Sequence, residues 1–390
     1  MILTDQFKVM FFLPQLGGGG AEMNAVRLAS GLLDAGITPV YVVARGHGSY
    51  EYLLPKNVEV IILDTGRINS SRLRLIRSPG MLAQLIDERR PDVLCPVMVS
   101  PALSSLSAMR RTRHKPTTIL SIQNSLSVSH EQQPELLSRV ELQLIRRQFP
   151  AFDGAIALSG GVAAELRRIV PALRDKVVVI PNIGMPLPVQ IAEAMMLNQP
   201  KTGSNCTLLA CGRLAKQKDY HTLFQAFTHL SGTNLQLNIL GDGDLRQSLM
   251  RLAHDLGIAD RVAFLGFQQD PFSHMRRADI FVLSSRWEGF GNVLVEAMAM
   301  GTPVVSTDCP HGPAEIIKDN QTGLLVPTEN PKALAAALQR LIDNPDLRMQ
   351  LGQAGQKRAQ DFSASQISAV YAQHFRSVAA QSQSGLCNEA

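Results

Sequence analysis

Short apolar runs alternate with amphipathic stretches along most of the chain. The run Phe7–Leu13 predicts a first buried strand, and the amphipathic stretch after it predicts a helix that ends near Gly36. Further strands are predicted at Val40–Ala44, Val58–Leu63, Val93–Val97, Thr117–Ile122, Gly154–Leu158 and Val177–Ile180. Helical patterns lie between most of these runs, and such alternation predicts a parallel, doubly wound α/β sheet.

The alternation pauses once and then starts again. It stops after Ile180 and resumes with the strand Cys206–Cys211, and the stretch 186–205 between them is rich in proline and holds a short helical piece. We therefore expect two α/β domains, at 1–185 and 206–360, each large enough for its own core.

The C-terminal part reads as helical. Helical patterns cover 331–343 and 346–376, and we expect the last helix (361–377) to return to the first domain. Residues 378–390 are mostly small and polar, so a disordered tail is expected there.

One stretch of the second domain combines a strand, a glycine-rich turn and a helix. The apolar run Ala278–Ser285 predicts the strand, and the apolar spacing after Gly291 predicts a helix that stops at Gly301. The N–H groups at such a helix start favour an anion. Glu288 and Glu296 bracket the turn two helical turns apart, so they can contact different parts of one elongated ligand, such as a sugar nucleotide.

The composition is that of a globular protein. Of 390 residues, 45% are hydrophobic and 18% charged, and the mean hydropathy is +0.03. No apolar run reaches the length of a membrane span, and residues 1–20 do not resemble a signal peptide. The five cysteines form no CxxC pair, so neither a disulfide framework nor a zinc site is expected. These features favour a cytoplasmic protein, which could also sit peripherally on the inner face of a membrane.

The net charge of +5 is unevenly spread. Residues 1–187 hold 21 Lys and Arg against 15 Asp and Glu (+6), whereas residues 188–390 hold 17 against 18 (−1). Either the basic clusters form a solvated face, or they dock on anionic lipid headgroups or a lipid-linked diphosphate. Nucleic acid is disfavoured because no aromatic residues interleave with them. The clusters are Arg67, Arg72, Arg74 and Arg77; Arg110, Arg111, Arg113 and Lys115; Arg146 and Arg147; and Arg167 and Arg168.

The segment from Glu288 to Val305 resembles the donor-site signature of retaining glycosyltransferase family four, and the match is contiguous from Ala278 to Pro327. The resemblance implies the GT-B fold, with two Rossmann-like domains facing across a cleft. It also implies transfer of a hexose or N-acetylhexosamine from a nucleotide-diphosphate sugar, most simply a UDP-sugar. The acceptor would be a hydroxyl of a saccharide, lipid-linked or small molecule, with retention of configuration and without a cofactor.

The same resemblance assigns roles to residues. Glu288 would contact sugar hydroxyls and Glu296 the ribose, while Arg213 and Lys218 would hold the diphosphate; Lys216 competes with Lys218 only by proximity. Two cations at a departing diphosphate stabilise the charge that builds there. Other donor-side positions are Gly19, Gly20, Gly241, Phe267, Gly289, Phe290, Gly291, Asn292 and Val293.

Some positions depart from the family pattern. Gln123, followed by Asn124, stands where members often have a histidine on the acceptor side, and Asp219 stands where glycine is frequent. His311 could contact the donor sugar or stabilise its turn, and His130 is more simply a structural histidine.

The glycine loop lacks a complete GxGxxG pattern with a ribose-binding acid, which disfavours NAD. Since no DxD pattern is flanked as it is in metal-dependent transferases, positive side chains and a helix end are expected in place of a metal. The alternatives left open are a GT-B sugar-nucleotide epimerase, a phosphorylase, and a non-catalytic GT-B protein that binds sugar nucleotides.

Overall fold

The computed structural model describes residues 7–44, 46, 48–63, 71–126, 135–196, 206–232 and 234–388. The chain forms two compact units, one of Met1–Ile183 with Ala364–Ala390 and the other of Gly184–Ser363. Within the described part, every helix is too short or too polar to cross a lipid bilayer.

The strands of the first unit are β1 (Phe7–Leu13), β2 (Ile37–Val43), β3 (Glu59–Ile62), β4 (Val93–Pro96), β5 (Thr117–Ile122), β6 (Gly154–Ala157) and β7 (Val177–Val179). Those of the second are β8 (Cys206–Cys211), β9 (Leu235–Leu240), β10 (Val262–Gly266), β11 (Ile280–Leu283), β12 (Val304–Thr307) and β13 (Leu324–Val326).

The helices, numbered here among described residues, begin with α1 (Gly20–Asp34), α2 (Ser71–Arg89), α3 (Val99–Met109), α4 (Glu135–Gln148) and α5 (Gly160–Ile169). The second unit holds α6 (Pro188–Met196), α7 (Tyr220–Thr228), α8 (Arg246–Asp255), α9 (Pro271–Arg277), α10 (Asn292–Ala299), α11 (Pro313–Ile316), α12 (Pro331–Ile342) and α13 (Pro345–Ala359). Helix α14 (Ala364–Asn388) is the last of the described helices.

The first unit is built on a parallel sheet in the order β3-β2-β1-β4-β5-β6-β7. The order reverses beside β1, whose side chains alternate between two cores. Phe11 faces one side, where its ring stacks on Tyr41 at 5.3 Å and meets Phe375 edge-on at 6.0 Å. Met10 and Phe12 enter the other core, so β1 is buried on both faces.

The second unit repeats the arrangement with a parallel sheet in the order β10-β9-β8-β11-β12-β13. Leu208, Ala210 and Val282 contribute to its main core. The order again reverses once, between β8 and β11, which is the arrangement of a Rossmann-type sheet. The predicted fold class, two Rossmann-like parallel-sheet domains, is confirmed.

The C-terminal region differs from the sequence-based expectation in two ways. The stretch 346–376 is two helices, because a 3₁₀ turn at Gln360–Phe362 and an extended Ser363 separate α13 from α14. The disordered tail expected at 378–390 is wrong as far as Asn388, since α14 continues through it. Its apolar stripe recurs every fourth residue and ends on the buried Ala379, which anchors the helix in the first unit's core.

Some sequence predictions lie outside the described residues. These are Arg67, His130 and the part of the predicted linker from 197 to 205; of Arg72 and Arg74 only the backbone is described. The earlier part of that linker contains α6 and belongs to the second unit.

Candidate active site

The loops after β8 and β11 meet at the carboxyl edge of the second unit's sheet, where the strand order reverses. Ligands of α/β sheets bind at such a switch point. The backbone N–H of Arg286 donates to the carbonyl of Gln217 at 2.8 Å, and the Gln217 amide donates back to the carbonyl of Trp287 at 3.0 Å. The Ser284 hydroxyl donates to the carbonyl of Lys218 at 2.7 Å. These bonds join the two loops into one wall.

A buried ion pair lies at the centre of this wall. The Nζ atom of Lys218 is 2.6 Å from Oε1 of Glu288, and the two side chains are 14% and 8% exposed. Although the residues are 70 positions apart in sequence, the adjacency of β8 and β11 brings them together. The sequence predicted both residues for the site but not that they pair.

The same carboxylate oxygen accepts a second bond. The Ser285 hydroxyl donates to Oε1 of Glu288 at 2.6 Å, and the Ser285 side chain is fully buried. The carbonyl of Ser285 accepts from the Thr307 hydroxyl at 2.6 Å, which ties the end of β11 to β12. Both donors thus act on one oxygen of Glu288, and its position is fixed from two sides.

Helix α10 starts directly after this carboxylate. The N-cap of this helix is Gly291, with φ +100°. Because glycine has no side chain, it supplies no capping acceptor to the N–H groups of the first turn. Gly312 packs on the turn: a Cβ atom there would lie 2.0 Å from the carbonyl oxygen of Phe290. The turn is therefore held from the β12 side, and α10 presents a partial positive charge near Glu288.

Arg213 and Lys216 are both exposed in the loop after β8. Asp219 lies at the end of that loop with φ +44°, a left-handed conformation that explains why glycine is frequent there. Its carboxylate accepts from the Thr222 hydroxyl at 2.7 Å, caps α7, and pairs with Arg286 at 3.2 Å. These bonds offset the backbone strain of a non-glycine residue at this position.

The other predicted donor-side residues in this unit have varied surroundings. Gly241 (φ +121°) lies against the residue that follows β8, where a Cβ atom would sit 2.2 Å from the carbonyl oxygen of Gly212, so the backbone packing requires glycine at this position. Phe267 follows β10 and is 71% exposed. The Phe290 side chain is buried against Phe362, with ring centroids 5.4 Å apart, so it belongs to the core. Gly289, Asn292 and Val293 are half-buried around the start of α10.

Two cysteine thiols near these residues have raised pKa values. Burial, together with the negative charge of Glu296, raises the pKa of Cys211 to about 12, and Lys218 opposes the shift. Burial and the charge of Glu288 raise the pKa of Cys309 to about 12. Both thiols are therefore protonated at neutral pH.

The first unit contains the remaining predicted site residues. Gly19 is the N-cap of α1 and Gly20 its first residue, directly after the loop that follows β1. Gln123, at the end of β5, is only 5% exposed and donates to the Ser121 hydroxyl at 2.9 Å. Asn124 is exposed. Of the two acceptor-side candidates, only Asn124 offers its side chain to solvent.

Sequence reasoning missed Ser285 and Gln217. The signal for Ser285 was present, since small polar residues at the end of a buried strand often face a site. Nothing in the pattern marked Gln217, whose part in the wall depends on β8 lying next to β11.

Known families match each unit separately. The family model described as Glycosyl transferases group 1 matches residues 192–358. The model described as Glycosyltransferase Family 4 matches residues 18–183. The boundary between the two matches lies close to Ile183, where the units divide.

Similar proteins carry names from surface-glycan synthesis. A lipopolysaccharide core biosynthesis glycosyltransferase, LpsE of Rhizobium meliloti, is 38% identical over 167 residues, which are 43% of this chain and 48% of that protein. A Campylobacter jejuni enzyme named GalNAc-alpha-(1->4)-GalNAc-alpha-(1->3)-diNAcBac-PP-undecaprenol alpha-1,4-N-acetyl-D-galactosaminyltransferase is 26% identical across 92% of this chain and 96% of its own. The chain spans about half the length of several curated relatives that it matches, from 44% to 48%.

The fold has close structural counterparts. The crystal structure of Anabaena HepE in complex with UDP and glucose superposes with a TM-score of 0.76 at 21% identity, covering 95% of this chain and all of HepE. Two parallel Rossmann-like sheets, each with one switch point, define a protein of the GT-B class. The matches to both units then show that the chain belongs to glycosyltransferase family four.

Proposed function

We propose that this protein is a retaining glycosyltransferase that moves a hexose or N-acetylhexosamine from a UDP-sugar to an acceptor hydroxyl. The observation that carries the proposal is the Lys218–Glu288 pair at the switch point of the second unit, directly before α10. In this wall the cation would bind a diphosphate, the carboxylate would accept from sugar hydroxyls, and the helix start would favour an anion.

The diphosphate is the group that this wall fits best. Arg213 is exposed in the same loop as Lys218, so both cations can reach a ligand at the edge of the sheet. As the glycosidic bond breaks, negative charge grows on the departing diphosphate, and the cations with the N–H groups of α10 stabilise it. We assign this charge stabilisation to protein groups and propose that transfer needs no metal ion and no cofactor.

Glu288 and Glu296 hold the two ends of the donor. Among the described residues, Ser285 and Lys218 both bind Oε1 of Glu288, so Oε2 is the atom that would accept from a sugar hydroxyl. Glu296 lies about one helical turn after the start of α10 and would accept from the ribose. No side chain is assigned as a nucleophile or base. When the acceptor hydroxyl attacks from the same face of the sugar as the leaving diphosphate, that diphosphate can itself take the acceptor proton.

The donor and acceptor classes are supported by relatives. HepE is described in complex with UDP and glucose, which supports a uridine nucleotide. Two Campylobacter jejuni relatives are named for substrates linked to diphospho-undecaprenol or PP-undecaprenol, which supports a lipid-linked saccharide acceptor. LpsE, named for lipopolysaccharide core biosynthesis, is in keeping with an acceptor of this kind.

A lipid-linked acceptor would require the protein to approach a membrane, and α4 offers a suitable face. Val140 and Leu144 are 48% and 37% exposed one turn apart, and Arg146 and Arg147 are exposed in the last turn. Apolar side chains beside arginines are typical of helices that lie on anionic bilayers. Flotation with phosphatidylglycerol vesicles tests this contact, with phosphatidylcholine vesicles as the control and Val140→Glu/Leu144→Glu as the variant. Equal flotation of variant and wild type would contradict it.

The function is tested by nucleotide release. Purified protein is incubated with UDP-, GDP- and ADP-sugars, with and without a lipid-linked saccharide, and free nucleotide is measured. We expect UDP release that depends on the acceptor and persists in EDTA. Binding without turnover for every donor and acceptor would favour a non-catalytic protein, and a change of sugar without nucleotide release would favour an epimerase.

A further inference from the structure

Ser285 has an environment that a purely structural serine does not need. Its hydroxyl is fully buried and donates at 2.6 Å to the carboxylate of Glu288, whereas a packing role could be filled by alanine. Its backbone is held on the other side by the Thr307 hydroxyl. The hydroxyl is thus fixed relative to the sheet and aimed at the carboxylate that faces the ligand.

The two donors on Oε1 of Glu288 differ in what else they can bind. A lysine ammonium has three N–H donors, so Lys218 can keep Glu288 and turn its remaining donors to a diphosphate. A serine hydroxyl has a single donor, and that of Ser285 is used on Glu288. When an anion draws Lys218 towards it, Ser285 is the donor that stays in place.

We propose that Ser285 is a positioning residue for donor-sugar recognition, which holds Oε1 of Glu288 so that Oε2 faces the sugar. This inference rests on the proposed function and adds a role within the same site. It separates two tasks in the wall: Arg213 and Lys218 recognise the diphosphate, and Ser285 with Glu288 recognises the sugar. Loss of the Ser285 hydroxyl would therefore affect a UDP-sugar and leave UDP itself unaffected.

The test compares Ser285→Ala with a matched control on the neighbouring strand. Ser306 is also fully buried, but its hydroxyl donates at 3.0 Å to the carbonyl of Thr307 and does not touch Glu288. Ser306→Ala therefore removes an equivalent buried hydroxyl from the same sheet. Ser285→Thr keeps a hydroxyl at the position and serves as the conservative variant.

Calorimetric titration of UDP measures nucleotide affinity, and UDP release from UDP-glucose or UDP-N-acetylglucosamine, whichever the wild type turns over, measures kcat/KM. We expect Ser285→Ala to bind UDP like the wild type and to lose about tenfold in kcat/KM for the UDP-sugar, the size expected for one hydrogen bond to a charged group. Ser285→Thr should recover part of that loss, and Ser306→Ala should match the wild type in both assays.

Three results would overturn the inference while leaving the proposed function intact. They are an unchanged kcat/KM in Ser285→Ala, an equal loss in Ser306→Ala, and a parallel loss of UDP affinity. The proposed function fails in a different way, because the wild type itself would then neither bind UDP nor release it from any UDP-sugar.

Discussion

The ammonium of Lys218 lies 2.6 Å from the carboxylate of Glu288, and both side chains are largely removed from water. A pair of this kind gains little over two apolar residues, because desolvation offsets the attraction. Removing only one partner, however, leaves a buried charge without compensation. The stability of the second unit and the proposed donor chemistry therefore depend on the same two residues.

This dependence can be measured as a double-mutant cycle. Lys218→Ala and Glu288→Ala should each lower the free energy of unfolding by about 3 kcal/mol. The double variant should be less destabilised than the sum of the two, since neither charge remains unpaired. Urea unfolding followed by circular dichroism provides the four values. Strict additivity would mean that the pair does not exist in solution.

The carboxylate of Glu288 should be essential for transfer. Glu288→Gln keeps the size of the side chain and a hydrogen-bond acceptor for Lys218, but it removes the negative charge. We expect kcat to fall by about a hundredfold or more, as when a directional polar group is lost from a site that stabilises a transition state. UDP release reports the rate, and Glu193→Gln, at an exposed position of α6, is the control. Activity close to that of the wild type would remove Glu288 from the mechanism.

Gly241 should tolerate no side chain, because both its conformation and its surroundings require glycine. Its φ is +121°, and a Cβ atom would lie 2.2 Å from the carbonyl oxygen of Gly212. Gly241→Ala should cost about 2–5 kcal/mol of stability. The matched control is Gly257→Ala, where φ is +66° but nothing lies within 4 Å of the new methyl group, and about 1–2 kcal/mol is expected. Equal effects in thermal unfolding would show that the contact with Gly212 is not tight.

The thiols beside the site should make the protein less stable at alkaline pH. Cys211 and Cys309 both have a pKa of about 12 in the folded protein, against 9.0 without burial. Above pH 9 the unfolded chain therefore loses thiol protons that the folded chain keeps, so stability falls as the pH rises from about 9 to about 12.

At pH 8 the same two thiols should resist iodoacetamide in the folded protein and react after unfolding. Mass spectrometry of the modified peptides measures this difference for each cysteine. Rapid modification of Cys309 in the native protein would contradict its burial.

Much of the fold could be predicted because local patterns decide it. Buried parallel strands are short apolar runs, and all those predicted in the first domain lie within a few residues of their observed positions. The order of strands is not a local property. The pairing of Lys218 with Glu288, and the place of Gln217 between the two loops, follow from β8 lying next to β11, which a linear pattern does not contain.

The extent of the last helix and the direction of one side chain were not evident from the local pattern, and both have simple physical causes. Residues after 377 look polar, yet Ala379 continues the four-residue spacing of the apolar stripe on α14, so the helix continues past 377, and it ends at Asn388. Phe290 stands in the middle of the glycine-rich turn, and its place at the donor, through the backbone N–H groups of the turn, stays a prediction; its ring packs on Phe362, which lies in another part of the sequence. Side-chain direction within a turn is set by such distant contacts.

The central claim is that Arg213 and Lys218 bind a diphosphate at the switch point of the second unit's sheet. Calorimetric titration of UDP tests it most directly, with Arg213→Ala and Arg213→Ala/Lys218→Ala compared with Lys216→Ala, which removes an exposed cation from the same loop. We expect Arg213→Ala to weaken UDP binding about tenfold, the double variant to weaken it further, and Lys216→Ala to bind like the wild type. Unchanged affinity in a correctly folded double variant, or an equal loss in Lys216→Ala, would contradict the account.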